Sequence, residues 1–189
     1  MRVIAGKFRS RRLRSLRGMD VRPTADRLRE TLFNVLTAGN PDALSNSVWL
    51  DLYAGTGAVG IEALRRGGAM VFFVESSPSA ANLIAQNLRS LDLQTGFEIL
   101  KQDVTRALQT LETKNIAVQF VFVDPPYRLQ SAYEETLLQL SKSKLLAPEG
   151  IIVVEHQKKF DLKDEFDGMR RYRRLQQGDS VLSFYRHQK

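Results

Sequence analysis

The chain has 189 residues, 43% of them hydrophobic and 26% charged, which suits one globular domain, alone or with a short appendage. The absence of cysteine excludes a disulfide framework and a thiolate metal site, and no apolar run approaches the roughly 18–20 residues of a membrane helix. The net charge of +7 is unevenly placed: residues 1–30 carry ten Lys and Arg against three acids, while residues 31–189 carry eighteen of each sign.

The basic start interleaves its cations with Val3, Ile4, Phe8, Leu13 and Leu16, the pattern of a folded, half-buried arm. It lacks the continuous apolar core of a secretory signal, so a cytoplasmic location is expected. Cations fixed on an ordered arm suit a polyanion, and nucleic-acid phosphates are the expected partner. Thr24 or Asp26 is placed to cap a helix running to about Leu36, which Asn40-Pro41 ends. The expected division is a basic arm and helix over 1–45, then a catalytic domain over 46–189.

From residue 48, short apolar runs alternate with helical stretches. The runs at 48–53, 70–75, 96–103, 119–124 and 150–155 predict strands, and 58–67, 78–91, 104–113 and 130–145 predict helices. Ser77-Pro78 opens a helix and Gly67-Gly68 stops one. Near-continuous apolar strands between helices imply a parallel sheet covered on both faces. Residues 169–175 and 180–186, joined by Gln176-Gln177-Gly178-Asp179, predict a closing hairpin. The expected fold is α/β: a Rossmann-like, mostly parallel seven-stranded sheet with a C-terminal antiparallel hairpin, in the order of a methyltransferase.

Asp51-Leu52-Tyr53-Ala54-Gly55-Thr56-Gly57-Ala58-Val59-Gly60 joins the first strand to its helix. Gly55, Gly57 and Gly60 match the dinucleotide fingerprint, with Glu75 as the following acid, so a nucleoside-bearing cofactor is expected. A carboxylate at the loop mouth, Asp51, would repel a pyrophosphate but suits the ammonium and sulfonium of S-adenosylmethionine. Glu75 is placed to accept ribose hydroxyls and Asp103 an adenine amine, at successive strand ends. Tyr53, Ala54, Thr56, Ser76 and Val104 complete the expected cofactor site. Alternatively, Asp103 caps a helix and Glu75 is a strand-end charge.

Asp124-Pro125-Pro126-Tyr127 follows the fourth strand. Two prolines stop the strand and fix an extended backbone. An exocyclic base amine is a poor nucleophile because its lone pair is delocalised into the ring. The Asp124 carboxylate and a carbonyl of the Pro125-Pro126 pair are expected to take its two N–H bonds, turning the lone pair toward a methyl donor. Tyr127 is expected to stack on the extruded base. His156 is expected to be structural. With two histidines and no cysteine, no metal is expected.

Arg2-Val3-Ile4-Ala5-Gly6, Arg22-Pro23-Thr24 with Asp26-Arg27-Leu28-Arg29-Glu30, Leu32-Phe33-Asn34, the Asp51–Gly60 loop with Glu62-Ala63-Leu64, and Asp124–Tyr127 occur here in one order. Together they resemble the bacterial 16S ribosomal RNA guanine-N2 methyltransferases, over almost the whole chain. The resemblance implies methylation of the N2 amine of one guanine, in 16S rRNA within an assembling or assembled small ribosomal subunit. It casts Arg2, Lys7, Arg9, Arg11, Arg12 and Arg14 as phosphate contacts, with Arg22, Thr24 and Arg27 lining the approach to the site; a monomer is expected. Tyr53 and Thr56 stand where many members have Phe and Ser, swaps that keep the ring and the hydroxyl. The runner-up is DNA adenine-N6 methylation, which the same tetrapeptide serves; the absence of a target-recognition domain argues against it.

Overall fold

A computed structural model describes residues 13–14, 23–160 and 162–188, with the side chains of the first helix described from Asp26 onward. Arg2, Lys7, Arg9, Arg11, Arg12 and Arg22, and the side chain of Thr24, lie outside the described residues.

The helices are α1 Pro23–Leu36, α2 Ala58–Arg65, α3 Pro78–Ser90, α4 Val104–Thr113 and α5 Gln130–Lys142. The strands are β1 Val48–Leu52, β2 Met70–Val74, β3 Phe97–Leu100, β4 Val118–Val123, β5 Leu146–Gln157, β6 Glu165–Phe166, β7 Met169–Gln177 and β8 Ser180–His187. They form one sheet in the order β3-β2-β1-β4-β5-β8-β7-β6, parallel through β5 and antiparallel beyond.

Strand alternation sorts the apolar side chains onto two faces. Leu50, Leu52, Val121, Val123 and Ile152 pack under α4 and α5. Trp49, Phe73, Phe122 and Val153 pack under α1, α2 and α3. Trp49 joins α1 to the sheet: its ring stacks on Phe120 at 4.6 Å and meets Phe33 of α1 at 5.5 Å. Leu28, Leu32 and Phe33 are each at most 1% exposed, so α1 shares the core of the sheet.

The fold agrees with the sequence expectation except in three details. The eighth strand, β6, forms because Asp167 (φ 27°) and Gly168 (φ 79°) turn the chain back, pairing Glu165–Phe166 with Met169–Arg170. Two residues carry no periodicity to be read. Helix α5 stops at Lys142 and β5 starts at Leu146, because Val118 N–H donates to the Leu145 carbonyl at 2.8 Å and begins the ladder early. Strand β3 ends at Leu100, just before the Asp103 cap of α4.

Candidate active site

The site lies where β1, β2, β4 and β5 end. Asp51 aligns with Phe73 and Phe122; Val74 and Val123 end their strands, and Val154 is the last β5 residue paired with β4, though β5 runs on to Gln157 against β8. Glu75, Asp124 and Glu155 come next, two residues beyond Phe73, Phe122 and Val153, which all face α1, α2 and α3. Alternation therefore turns four carboxylates on four neighbouring strands toward one face.

The glycine loop sits over this row. Gly55 (φ 56°) and Gly57 (φ 75°) have the left-handed backbone that glycine tolerates. Gly60 is needed for packing: a Cβ there would stand 2.3 Å from Phe73 Cε1 and 2.7 Å from Val71 Cγ1. Asp51 was expected at the loop mouth but lies beneath the loop, 2% exposed, where its Oδ2 accepts the Gly60 N–H at 2.9 Å. Burial, with the charge of Glu75 adding, pushes its pKa up to about 7 against the opposing Gly60 bond. Its visible work is to tie the first turn of α2 to β1.

Glu75 closes the other side of the loop. Its Oε2 accepts from Gly55 N–H at 2.9 Å and its Oε1 from Ser77 N–H at 2.8 Å. Each oxygen keeps a second lone pair, so the carboxylate is oriented without being saturated. Ser77 caps α3, as Ser77-Pro78 predicts. Asp103 caps α4, its Oδ1 accepting Arg106 N–H at 3.0 Å, and it also lines a cleft of about 250 Å³. Tyr53, Ser76 and Val104 line the same cleft, opposite Leu129 and Thr136 of the α5 region. Tyr53 holds a left-handed backbone (φ 58°), and its hydroxyl bonds Thr136 Oγ1 at 2.9 Å, so the ring is fixed as a wall.

Ala54 and Thr56 complete the loop through their backbones: Ala54 N–H donates to the Val74 carbonyl at 3.0 Å. The Thr56 carbonyl accepts from Asn87 Nδ2 at 3.0 Å. Asn87, fully buried on α3, also grips the arm: its Oδ1 accepts Arg14 N–H at 2.9 Å and its Nδ2 donates to the Arg14 carbonyl at 3.2 Å. Leu13 beside it is 5% exposed in the α1 core. Asn87 was not anticipated from the sequence.

At the end of β4, Asp124 is held well above the usual carboxylate range, by burial first and then by the charges of Glu155 and Asp51. The Pro125 carbonyl accepts from the Tyr133 hydroxyl at 3.3 Å, and the Pro126 carbonyl from Leu129 N–H at 2.8 Å. Both carbonyls are thus fixed, and each retains one lone pair. Tyr127 is 38% exposed.

Sequence reasoning missed two further charges. Arg29 of α1 is 5% exposed, with Nη2 3.1 Å from Asp26 Oδ1. Burial lowers its pKa against the charges of Asp26, Glu62 and Glu155. Glu155 is raised to about 7 by burial, with Arg29 pulling the other way. The clue was spacing. Arg27, named from the sequence, is exposed on α1, and Arg29 occupies the inward face two positions on. His156 is buried as a structural residue: Nε2 meets Ser183 Oγ at 2.9 Å and Nδ1 the Gln157 carbonyl at 3.0 Å.

The strand order, the reversed β8 and a glycine loop facing acids at successive strand ends define the Rossmann-like fold of the S-adenosylmethionine-dependent methyltransferases. Within it, the chain belongs to the family described as "Conserved hypothetical protein 95", which matches residues 1–186. It is 30% identical over 186 residues to "Putative rRNA methyltransferase YlbH" of Bacillus subtilis, covering 98% of each chain. It is 36% identical over 155 residues to "Ribosomal RNA small subunit methyltransferase D" of Escherichia coli K12, covering 82% of this chain and 74% of that one. A solved Escherichia coli structure described as "Putative methyltransferase yhhF" superposes with a TM-score of 0.82 at 29% identity, over 100% of this chain and 98% of that one. These likenesses bear out, at the level of the family, the resemblance seen in the sequence.

Proposed function

We propose that this protein methylates the N2 amine of a guanine in 16S ribosomal RNA, acting as a cytoplasmic monomer on the small ribosomal subunit or its precursor. The observation that carries the reading is the end of β4: a half-buried carboxylate, two fixed carbonyls and an exposed tyrosine in four consecutive residues. Neither a dehydrogenase nor a passive RNA-binding module has use for that grouping. The names of the relatives supply the RNA and the subunit, and the resemblance supplies guanine N2.

The loop fits S-adenosylmethionine. Glu75, oriented by two backbone N–H groups yet with lone pairs to spare, suits the two ribose hydroxyls. Gly55 and Gly57 allow close backbone approach, while Asp103 and Val104 flank the place for the adenine. When bound, the cofactor supplies an electrophilic methyl group on a sulfonium. Asp124 and a carbonyl of the Pro125-Pro126 pair accept the two N–H bonds of the target amine and aim its lone pair. Tyr127 stacks on the base and holds it out of its helix. The extra proton leaves after the carbon–nitrogen bond forms, so no strong base is needed beforehand.

The test is transfer of labelled methyl from S-adenosylmethionine to small subunits lacking the modification, beside unmethylated duplex DNA and an Asp124→Ala control. Label recovered as N2-methylguanine and lost in the variant is the expected result. Label in DNA as N6-methyladenine would keep the chemistry and overturn the substrate.

A further inference from the structure

We propose that the β7–β8 hairpin is a second RNA-binding surface, a stacking platform of Tyr172, Arg173 and Arg186 that takes an unpaired segment of the substrate RNA. The inference rests on the RNA reading given above. Charge summed over residues 31–189 is zero, but it is not zero locally. Residues 169–187 hold Arg170, Arg171, Arg173, Arg174 and Arg186 against Asp179 alone. Arg170 and Arg171 are paired with Glu165 and Asp164. Arg173, Arg174 and Arg186 have no carboxylate partner among the described residues.

The sheet sorts these side chains. Arg173 is registered with Phe184, and Arg186 lies two residues beyond Phe184 on β8, so both point to the α1 face of the sheet. The ladder shifts register between Arg171 and Arg173, and Tyr172 is the extra residue. Its ring leans on Phe184 at 6.2 Å and carries the Arg186 guanidinium 4.8 Å from its centroid, while the residue stays 40% exposed. A bulge re-aims a side chain, and here it brings an exposed tyrosine against the Arg186 guanidinium and next to Arg173 in the chain. Charge on a near-edge strand also deters strand addition, but acids or lysines would serve that end and none needs an exposed tyrosine. An aromatic face flanked by guanidinium groups matches the stacked bases and phosphates of single-stranded nucleic acid. Helix α1 reaches the same hairpin: Thr31 donates to Gln177 at the tip of β7, at 3.2 Å.

The test uses the full chain and deproteinised 16S RNA lacking the modification, in a binding series over salt. The Arg173→Gln/Arg186→Gln double variant is expected to flatten the slope of log affinity against log salt by about 0.7 per lost phosphate contact. Tyr172→Ala is expected to weaken binding roughly five- to a hundredfold with little change in slope, and Tyr172→Phe to recover most of the loss. Lys114→Ala, at the opposite sheet edge where Lys114 pairs with Glu98, is expected to change neither. Unchanged affinity for S-adenosylmethionine shows that each variant is folded. Affinity and slope unaltered in both hairpin variants would overturn the platform alone. So would a loss seen only with protein-containing particles, which would assign the hairpin to an acidic protein surface. Failure of the wild-type protein to bind or methylate ribosomal RNA would overturn the RNA reading and the platform together.

Discussion

In the proposed reaction Asp124 accepts an N–H bond from the target amine more strongly as the carboxylate than as the acid, yet it stands beside Glu155 on the neighbouring strand and shares its face with Asp51. Groups on adjacent strands lie about 5 Å apart, and at an effective dielectric of about 20 two carboxylates there repel by about 3 kcal/mol, or roughly two pH units. Arg29 from α1 holds Glu155 toward its charged form, which sustains the repulsion, and Tyr133 from α5 adds no charge near neutrality. Glu155→Gln removes the repulsion, so Asp124 should ionise more readily. The acid limb of kcat/KM for methyl transfer should move to lower pH by up to roughly two units. Arg29→Met lets Glu155 take up its proton more readily and should move the limb the same way by a smaller amount. Stability gives an independent reading. A carboxyl whose folded pKa is raised contributes stability that is complete below its ordinary value and lost as pH rises through the folded one. The wild type should therefore lose stability as pH rises from about 4 toward about 7, and Glu155→Gln should lose less over that window. Activity profiled from about pH 5 to about pH 9, beside thermal midpoints at each pH, decides the matter. Limbs that stay put, or move to higher pH in either variant, would refute the coupling, as would a uniform loss of activity at every pH.

Other outcomes follow from single contacts. Gly60→Ala forces a Cβ into Phe73 and Val71, both fully buried, and should cost about 1–3 kcal/mol, lowering the thermal midpoint by roughly 2–12 °C. Asn87→Ala removes three hydrogen bonds among the arm, α3 and the glycine loop; calorimetry should show a loss of about 2–4 kcal/mol. Tyr127→Ala should weaken engagement of the target base by about 1–3 kcal/mol, read as a rise in KM for RNA, with cofactor affinity intact by titration calorimetry.

Much of this was legible from the sequence because the central strands are buried on both faces and read as unbroken apolar runs. Ser77-Pro78 and the glycine loop carried their own local chemistry. What escaped depended on neighbours distant in the chain. Asp124 and Glu155 are adjacent only because β4 lies beside β5, and Arg29 reaches them only because α1 packs on the same sheet face. Asp51 looked like a loop-mouth residue, but its strand position fixes it under the loop. The charge tally by segment placed the whole excess in the arm, since acids elsewhere in sequence cancelled the hairpin arginines that space keeps apart from them.

One amide deserves a thermodynamic reading. Asn87 holds the glycine loop with one hand and residue 14 of the arm with the other, from a position closed to water. On the function proposed above, the loop and the arm are two binding surfaces, and a bridge this short should couple them. Any displacement one ligand imposes on its side alters the free energy of the other, by the same factor in both directions. Whichever partner arrives first then sets the grip on the second. That factor, measured as cofactor affinity with and without RNA and as RNA affinity with and without cofactor, should be equal both ways and should fall toward one when Asn87 is truncated.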